Sequence, residues 1–318
     1  MPLRFTLRQL EYLVAVGECG SIAKAAQRVN VSSPSISTAI AQLEEEFGLP
    51  LFVRRHAQGL FLTQGGRQFV EEARAVLKAA GRLGDLANDI TGKVRGPLSL
   101  GCLLTFAQVI LPQLRRSFVA RFPEVTIRQS ECNQAEIYDG LRTAELDVAL
   151  TYDLNIPPDI EFVELVSLPP YALFPDDHPL AGARQVTPAD LAPHPMVLLD
   201  LPHSVDYFLG CFSEAGVSPQ IAERTRDMGV MRSMVASGFG YSIANIRPSS
   251  DMAPDGMRLR YVPLVGPVRP MRLGLVLAEG ARGALTIRAF IDHCRETITP
   301  DSAPGLRLRI DDGGSVGA

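Results

Sequence analysis

The stretch from Ser21 to Gly48 leaves the chain little choice: two short helices joined by a tight turn, the second carrying small polar side chains on one face. Ala23, Ala25, Ala26 and Val29 form a compact apolar stripe behind Ser21, a cap candidate. Asn30 is a stop signal, so the first helix is expected to end near Val29. Ser32 or Ser33 then caps a second helix with Pro34 at its first position, where the missing N–H costs nothing. Ile36, Ile40, Leu43 and Phe47 follow at the i, i+4, i+7 and i+11 spacing of a buried face, and Gly48 ends the run. Opposite them stand Ser33, Ser35, Ser37, Thr38 and Gln42. Side chains this short let a helix backbone approach a duplex while hydroxyl and amide groups bond phosphates and base edges.

Leu7, Leu10, Leu13 and Val14 predict a preceding amphipathic helix that also holds Arg4, Arg8 and Glu11, and residues 51–63 read as a hairpin with Arg54 and Arg55 at its rim. Three helices and a basic hairpin make a winged helix-turn-helix. A small helical subdomain with a solvated polar face fits the composition equally well, and the basic hairpin tips the balance only in part.

The residues Leu7-Arg8-Gln9-Leu10, Ala15-Val16, Gly20-Ser21, Ala25-Ala26, Ser32 to Ser37, Ile40, Leu43-Glu44, Phe47-Gly48, Leu51-Phe52, Arg54 and Leu62 to Gly66 resemble the N-terminal signature of LysR-type transcriptional regulators. The resemblance implies a DNA-binding domain over residues 1–66. Its contacts to double-stranded promoter or operator DNA would come from Ser32, Ser33, Pro34, Ser35, Ser37, Thr38 and Gln42, with Arg54 and Arg55 from the wing. Two positions depart from the family pattern: Ser33 stands where Gln is frequent, and Ala41 where a basic residue is frequent. The sequence preference of relatives therefore does not carry over.

Charge agrees with that division. Residues 1–95 hold 12 Lys and Arg against 9 Asp and Glu, net +3, while the remainder holds 19 against 26, net −7. The positive excess lies on the half expected to meet phosphate. With 318 residues, 46% of them apolar, the chain has room for two or three cored domains, and it contains no apolar run near the ~18 residues of a membrane span. The N-terminal helix is no signal peptide, which predicts a cytoplasmic protein. Five scattered cysteines (Cys19, Cys102, Cys132, Cys211 and Cys294) show neither disulfide nor metal spacing.

Phe69, Ala73, Val76, Ala80, Leu83, Ala87 and Ile90 alternate steps of four and three, a heptad seam over three repeats. A helix from Arg67 to Ile90 would run about 36 Å, too long for its own small head to bury. Residues 67–92 are therefore expected to be a linker and dimerisation helix, the alternative being a helix packed on the chain's own second domain. Gly81 and Gly84 weaken it by ~1 kcal/mol each. A homodimer would place two recognition helices about 34 Å apart or a multiple and calls for a partly palindromic operator; the resemblance adds pairing into homotetramers.

Residues 91–97 form a hinge by composition. Strand and helix signals then alternate: a strand over 98–104, a helix over 106–122 broken or kinked at Pro112, a strand over 125–131, a helix over 134–143 and a strand over 146–152. Such alternation predicts parallel α/β sheets. Pro169-Pro170 and the 263–270 segment mark two crossings between lobes, the first of residues 97–165 and 271–298, the second of 166–266. An α/β effector domain over 93–299 with two lobes, similar to periplasmic solute-binding proteins, is what the family resemblance implies. The matching phrases are Ile110-Leu111-Pro112, Phe122-Pro123, Leu146 to Ala149, Asp177 to Leu180 and Met234 to Gly240. Residues 300–318 are expected to be a disordered tail, with Leu306 to Ile310 able to form a strand only if paired.

In open α/β sheets ligands collect beyond strand C-termini, where helix starts offer N–H groups and positive dipole ends. Thr105 with Gln108 and Asn133 with Glu136 have capping-box spacing; Ser204 and Asp227 are simple cap candidates. By resemblance, Thr105 and Gln134 on one lobe face His203, Ser204 and Met228 with Gly229 on the other, around a small-molecule effector expected to be an organic anion. No catalytic motif, cofactor or metal site is read: His178, His194 and His203 lack zinc spacing, His293 beside Cys294 reads as a surface or satisfied core residue, and Cys211 lacks a resolving thiol nearby in sequence. The chain is thus read as a regulator and not an enzyme. The rival is a two-lobed binding protein or enzyme whose first 90 residues only mediate dimerisation.

Overall fold

A computed structural model describes residues 4–55 and 59–299, without the side chains of Arg54 and Arg55. The expected disordered tail lies outside the described residues. The chain divides into two compact units, the boundary falling between Gly92 and Lys93.

The first unit holds α1 (Leu7–Cys19), α2 (Ile22–Arg28), α3 (Ser33–Phe47), the hairpin β1 (Phe52–Arg55) and β2 (Gly59–Leu62), and α4 (Gln64–Thr91). Thr6 caps α1 with a reciprocal bond to Gln9, so Arg4 falls before the helix and not within it. Ser21 and Ser32 cap α2 and α3, Asn30 takes a left-handed backbone (φ 54°) in the turn between them, and Gly48 closes α3. Leu10, Leu13, Val16, Ile36, Leu43 and Leu51 are buried together, each fully buried aliphatic side chain contributing roughly 1.5–3 kcal/mol. Glu44 ties α3 to the wing: its Oε1 accepts the N–H groups of Leu51 (2.7 Å) and Phe52 (3.2 Å). In the antiparallel wing Phe52 pairs with Leu62 and Arg55 with Gly59.

Helix α4 starts at Gln64, three residues earlier than the heptad pattern suggests, because Thr63 accepts the Gly66 N–H at 2.8 Å and caps it. Gly66 is obligatory there, since a Cβ would sit 2.0 Å from the Leu51 carbonyl oxygen. At 28 residues the helix is about 42 Å long.

The second unit holds β3 (Gly96–Leu103), α5 (Leu104–Ala107), α6 (Leu111–Arg121), β4 (Val125–Cys132), α7 (Gln134–Arg142), β5 (Val148–Tyr152), β6 (Ile160–Leu168), β7 (Tyr171–Pro175), α8 (Pro188–Leu191), β8 (Pro195–Leu199), α9 (Ser204–Ser213), β9 (Gln220–Thr225), α10 (Met228–Ala236), β10 (Ser242–Ala244), β11 (Leu259–Pro263), β12 (Met271–Ala278) and α11 (Leu285–Thr297). One lobe is a five-stranded sheet in the order β4-β3-β5-β12-β6. Only β3, β4 and β5 run parallel; β12 returns antiparallel to both β5 and β6, so the expected all-parallel sheet is mixed. The helix expected over 106–122, broken or kinked at Pro112, is broken into two, because Pro112, lacking an N–H, sits in the first turn of α6 rather than inside a continuous helix.

The other lobe pairs β7 antiparallel with β10 and β11, and β8 parallel with β9. Gly240 (φ 144°) lets Tyr241 join β8: its N–H reaches Pro195 O at 2.9 Å and its carbonyl accepts Val197 N–H at 2.8 Å, where a Cβ at Gly240 would lie 2.2 Å from Pro195 O. The chain passes between lobes at 169–170 and 264–270. Strand β6 stays with the first lobe to Leu168, three residues beyond the expected boundary, because Leu168 pairs with Met271.

Candidate nucleic-acid interface and effector cleft

On α3 the buried row of Ile36, Ala39, Ile40 and Leu43 turns Pro34, Ser35, Ser37, Thr38 and Gln42 to the surface, with Ser33 half-buried. Ser32 is exposed but engaged: its Oγ accepts the Ser35 N–H at 3.3 Å and shares a hydrogen bond with Ser35 Oγ at 2.7 Å. Arg54 and Arg55 lie on β1, and only their backbone is described. A residue absent from the expected set also reaches this face. Gln9 of α1 donates from Nε2 to Gln42 Oε1 at 2.9 Å. The Thr6-x-x-Gln9 capping-box spacing was a readable sign of its fixed position; its meeting with Gln42 was not.

The heptad seam divides in two. Phe69 is half-buried with its ring 4.5 Å from Phe47, and Ala73 is buried in the head's own core, so these first two positions pack on the head itself. Further along, Val76 (43% exposed), Leu83 (70%) and Ile90 (76%) face outward, as does Leu86, while Ala80 and Ala87 are half-buried.

Between the lobes lie two adjoining cavities. The larger, about 420 Å³, is walled by Leu104 and Asn133 on one lobe and by Leu201, His203, Asp206 and Arg226 on the other. The smaller, about 270 Å³, lies among Asp153, Asn155, His203, Tyr207, Cys211 and Arg269. His203 borders both, with a left-handed backbone (φ 65°), and its Nδ1 lies 3.1 Å from Asn155 Nδ2 across the cleft. The floor is pinned where the chain crosses. Buried Asp153 binds Arg269 (2.6 Å) and Arg272 (2.7 Å), while Tyr207 donates to the Arg269 carbonyl (2.6 Å) and accepts from Asn245 (2.9 Å).

Of the five expected effector contacts, His203 lines the cavities and four do not. Gln134 is buried and satisfied: its Nε2 reaches Tyr138 Oη (2.5 Å) and Tyr152 O (3.2 Å), and Thr151 Oγ1 donates to its Oε1, so it clamps α7 to β5 and has no amide group left for a ligand. Thr105 sits inside α5 rather than capping it, its buried Oγ1 without a hydrogen bond of normal geometry, close to the Tyr152 hydroxyl. Ser204 is buried at the first position of α9, whose cap is His203. The Met228 side chain is buried at the start of α10.

Nor are the helix starts open to an anion. Asn133 takes the N–H groups of Ala135 and Glu136, and Glu136 answers with its own carboxylate. Leu201 O takes those of Ser204 and Val205, with Asp206 in the same turn, and Asp227 takes that of Val230. Each start already carries a negative side chain that offsets the dipole.

The four buried thiols are quiet. Cys211 Sγ donates to Tyr207 O at 3.4 Å, and burial pushes its thiol up to about 11; Cys132 is likewise pushed up to about 11, Cys102 higher still, and burial also raises Cys294 well above the ordinary thiol range. A thiol held protonated is a poor nucleophile. His293 is buried on α11, its Nε2 2.8 Å from Ser117 Oγ, and the His178 and His194 rings meet edge to face at 4.8 Å. Among the described residues no group of three or more His, Cys, Asp or Glu side chains is placed to hold a metal ion, and no helix is long and apolar enough to cross a membrane.

Two family models match. The bacterial regulatory helix-turn-helix protein, lysR family, covers residues 7–67, and the LysR substrate binding domain covers residues 91–299. The transcriptional activator protein LysR of Escherichia coli K12 is 30% identical over 288 residues, 90% of this chain and 91% of that protein. HinK, a LysR family transcriptional regulator from Pseudomonas aeruginosa, superimposes with a TM-score of 0.62 at 35% identity, covering 92% of this chain and 98% of HinK. Full-length CbnR complexed with its target DNA matches with a TM-score of 0.55 at 28% identity, over 92% of this chain and 99% of CbnR.

Proposed function

Because the chain belongs to the LysR family of DNA-binding transcriptional regulators with an effector-binding domain, we propose that it reads its operator as a homodimer, or a pair of dimers, with α3 in the major groove and Arg54 and Arg55 at the flanking backbone. The observation that carries this reading is the hydroxyl-bearing surface of α3, with Thr38 exposed across the helix from buried Ile36, Ile40 and Leu43 and Ser35 and Ser37 exposed on either flank. The second copy joins along the outer part of α4, residues 76–90. The protein works in the cytoplasm and catalyses no reaction. We assign residues 1–66 to DNA, 67–92 to the linker and 93–299 to the effector.

The effector sits in the cavity shared by the two lobes, and a ligand that prefers one lobe arrangement shifts the equilibrium by its differential affinity alone. The wall chemistry narrows its class. Arg226 and Asp206 line the larger cavity and have no ion-pair partner among the described residues, while Asp200 beside them is paired with Arg224 at 3.5 Å. A simple organic anion would gain from Arg226 and lose against Asp206. A small acid that also carries an amino group answers both, its carboxylate toward Arg226 and its ammonium toward Asp206.

Two measurements test this. Gel shift of the full chain with promoter fragments, repeated over a range of salt, must show binding that weakens as salt rises. Thermal shift with paired acids that differ only in an amino group must favour the amino member, and Asp206→Asn must erase that difference. A stronger response to the plain acids would reverse the assignment.

A further inference from the structure

The two ends of a side-chain amide have the same shape, so the way an amide faces is set by a neighbour that can only donate or only accept. The Thr6 backbone N–H is such a neighbour. It donates to Gln9 Oε1 at 2.8 Å, and Thr6 Oγ1 binds the same oxygen at 3.1 Å, which commits the oxygen end of Gln9 to the α1 cap. The nitrogen end then faces Gln42, 33 residues away in sequence, and needs an acceptor: Gln42 Oε1 at 2.9 Å. With its oxygen turned toward Gln9, Gln42 has Nε2 as the end left to present. That nitrogen has no partner among the described residues and lies on the exposed face of α3.

We propose that this Thr6–Gln9–Gln42 relay presents Gln42 to DNA as a hydrogen-bond donor, so that it favours guanine N7/O6 or thymine O4 over adenine, whose N7 acceptor lies beside an N6 amino group that opposes the amide's second N–H. The bidentate pairing of glutamine with adenine needs donor and acceptor ends together, and the relay turns the acceptor end toward Gln9. Gln9 is thus a positioning residue that sets specificity without touching a base. This inference rests on α3 being the element that meets the duplex.

The substitution Gln9→Glu isolates the effect, because glutamate serves equally well at the third position of a capping box. Neither oxygen of the introduced carboxylate can donate to Gln42, so the Gln42 amide must turn, giving Nε2 to that carboxylate and leaving Oε1 outward as an acceptor. The experiment is selection from a randomised duplex library by the full-length protein and by its Gln9→Glu and Gln42→Ala variants. The wild type is expected to prefer guanine or thymine at one position of each half-site, enriched roughly tenfold, the size of a modest base contact. Gln42→Ala should lose that preference at that position alone. Gln9→Glu should move it to adenine or cytosine, which offer amino groups, while Gln9→Met, which frees the Gln42 amide, should broaden it. Selection unchanged by Gln42→Ala, a wild-type preference for adenine or cytosine there, or a Gln9→Glu profile identical to wild type would each overturn the relay with DNA reading intact. A wild type that enriches no sequence would instead remove the premise that α3 reads the duplex.

Discussion

Leu83 is the sharpest handle on self-association. It lies mid-way along the outer stretch of α4, 70% exposed, with Val76 one heptad before and Ile90 one heptad after. Leu83→Ala removes about three methylene equivalents, each worth ~0.8 kcal/mol on full burial. Scaled by the exposed fraction that a partner could cover, this amounts to about 1.7 kcal/mol per copy. A twofold interface contains the residue twice, so the dimer should lose about 3 kcal/mol, a weakening of the dissociation constant by roughly two orders of magnitude. Folding of the chain should be almost untouched, since Leu83 lies outside the buried core. Sedimentation equilibrium of the full-length protein reads the constant directly, with urea unfolding as the control. Leu83→Asp should leave monomers at micromolar concentration, with binding of a two-half-site operator reduced accordingly. An unchanged dissociation constant for both variants would refute the assignment of this face to a second copy.

Gln134→Leu should destabilise the second unit by roughly 2–4 kcal/mol in urea unfolding, because Thr151 and Tyr138 would lose a buried partner. Little loss would mean that the clamp is not structural. Thr105→Val removes a buried hydroxyl that has no hydrogen bond of normal geometry, so its melting temperature should equal or exceed that of the wild type. Because Thr105 lines neither cavity, the same variant should keep both inducer response and operator affinity, as a reporter assay beside gel shift would show. Burial holds His293 below its ordinary 6.5, with Arg121 adding to the effect and Glu296 opposing it. The unfolded chain then binds the proton more readily, so the stability present above pH 6.5 falls as the pH drops below it. Melting temperatures from pH 7.5 to 5.5 should decline less steeply in His293→Gln than in the wild type.

Features that depend on residues within one or two turns of each other were legible in the chain alone. The caps at Ser21, Ser32 and Asp227, the Asn133–Glu136 capping box, the stop at Gly48 and the buried stripe of α3 all follow from local spacing. The failures share a cause. Thr105 and Gln108 have the spacing of a capping box, yet Leu103 takes the cap position once β3 runs directly into α5. Phe69 and Ala73 continue the heptad in sequence, yet the head domain covers them first. Gln134 has the exposed-looking polarity of a ligand contact, and only the end of β5 and the segment after it, up to 20 residues away, show it to be buried and satisfied.

By itself, then, the order of residues determined the helices and hairpin of the first unit, the alternation of strands and helices up to Tyr152, and the family to which the whole belongs, since backbone propensity, capping and amphipathic period are short-range properties. Only tertiary packing decided the antiparallel return of β12, the carboxylates gathered around the interlobe cavities and the contact of Gln9 with Gln42. Those depend on groups distant along the chain, and the distance between such groups is set when apolar faces close on one another, which no local pattern encodes.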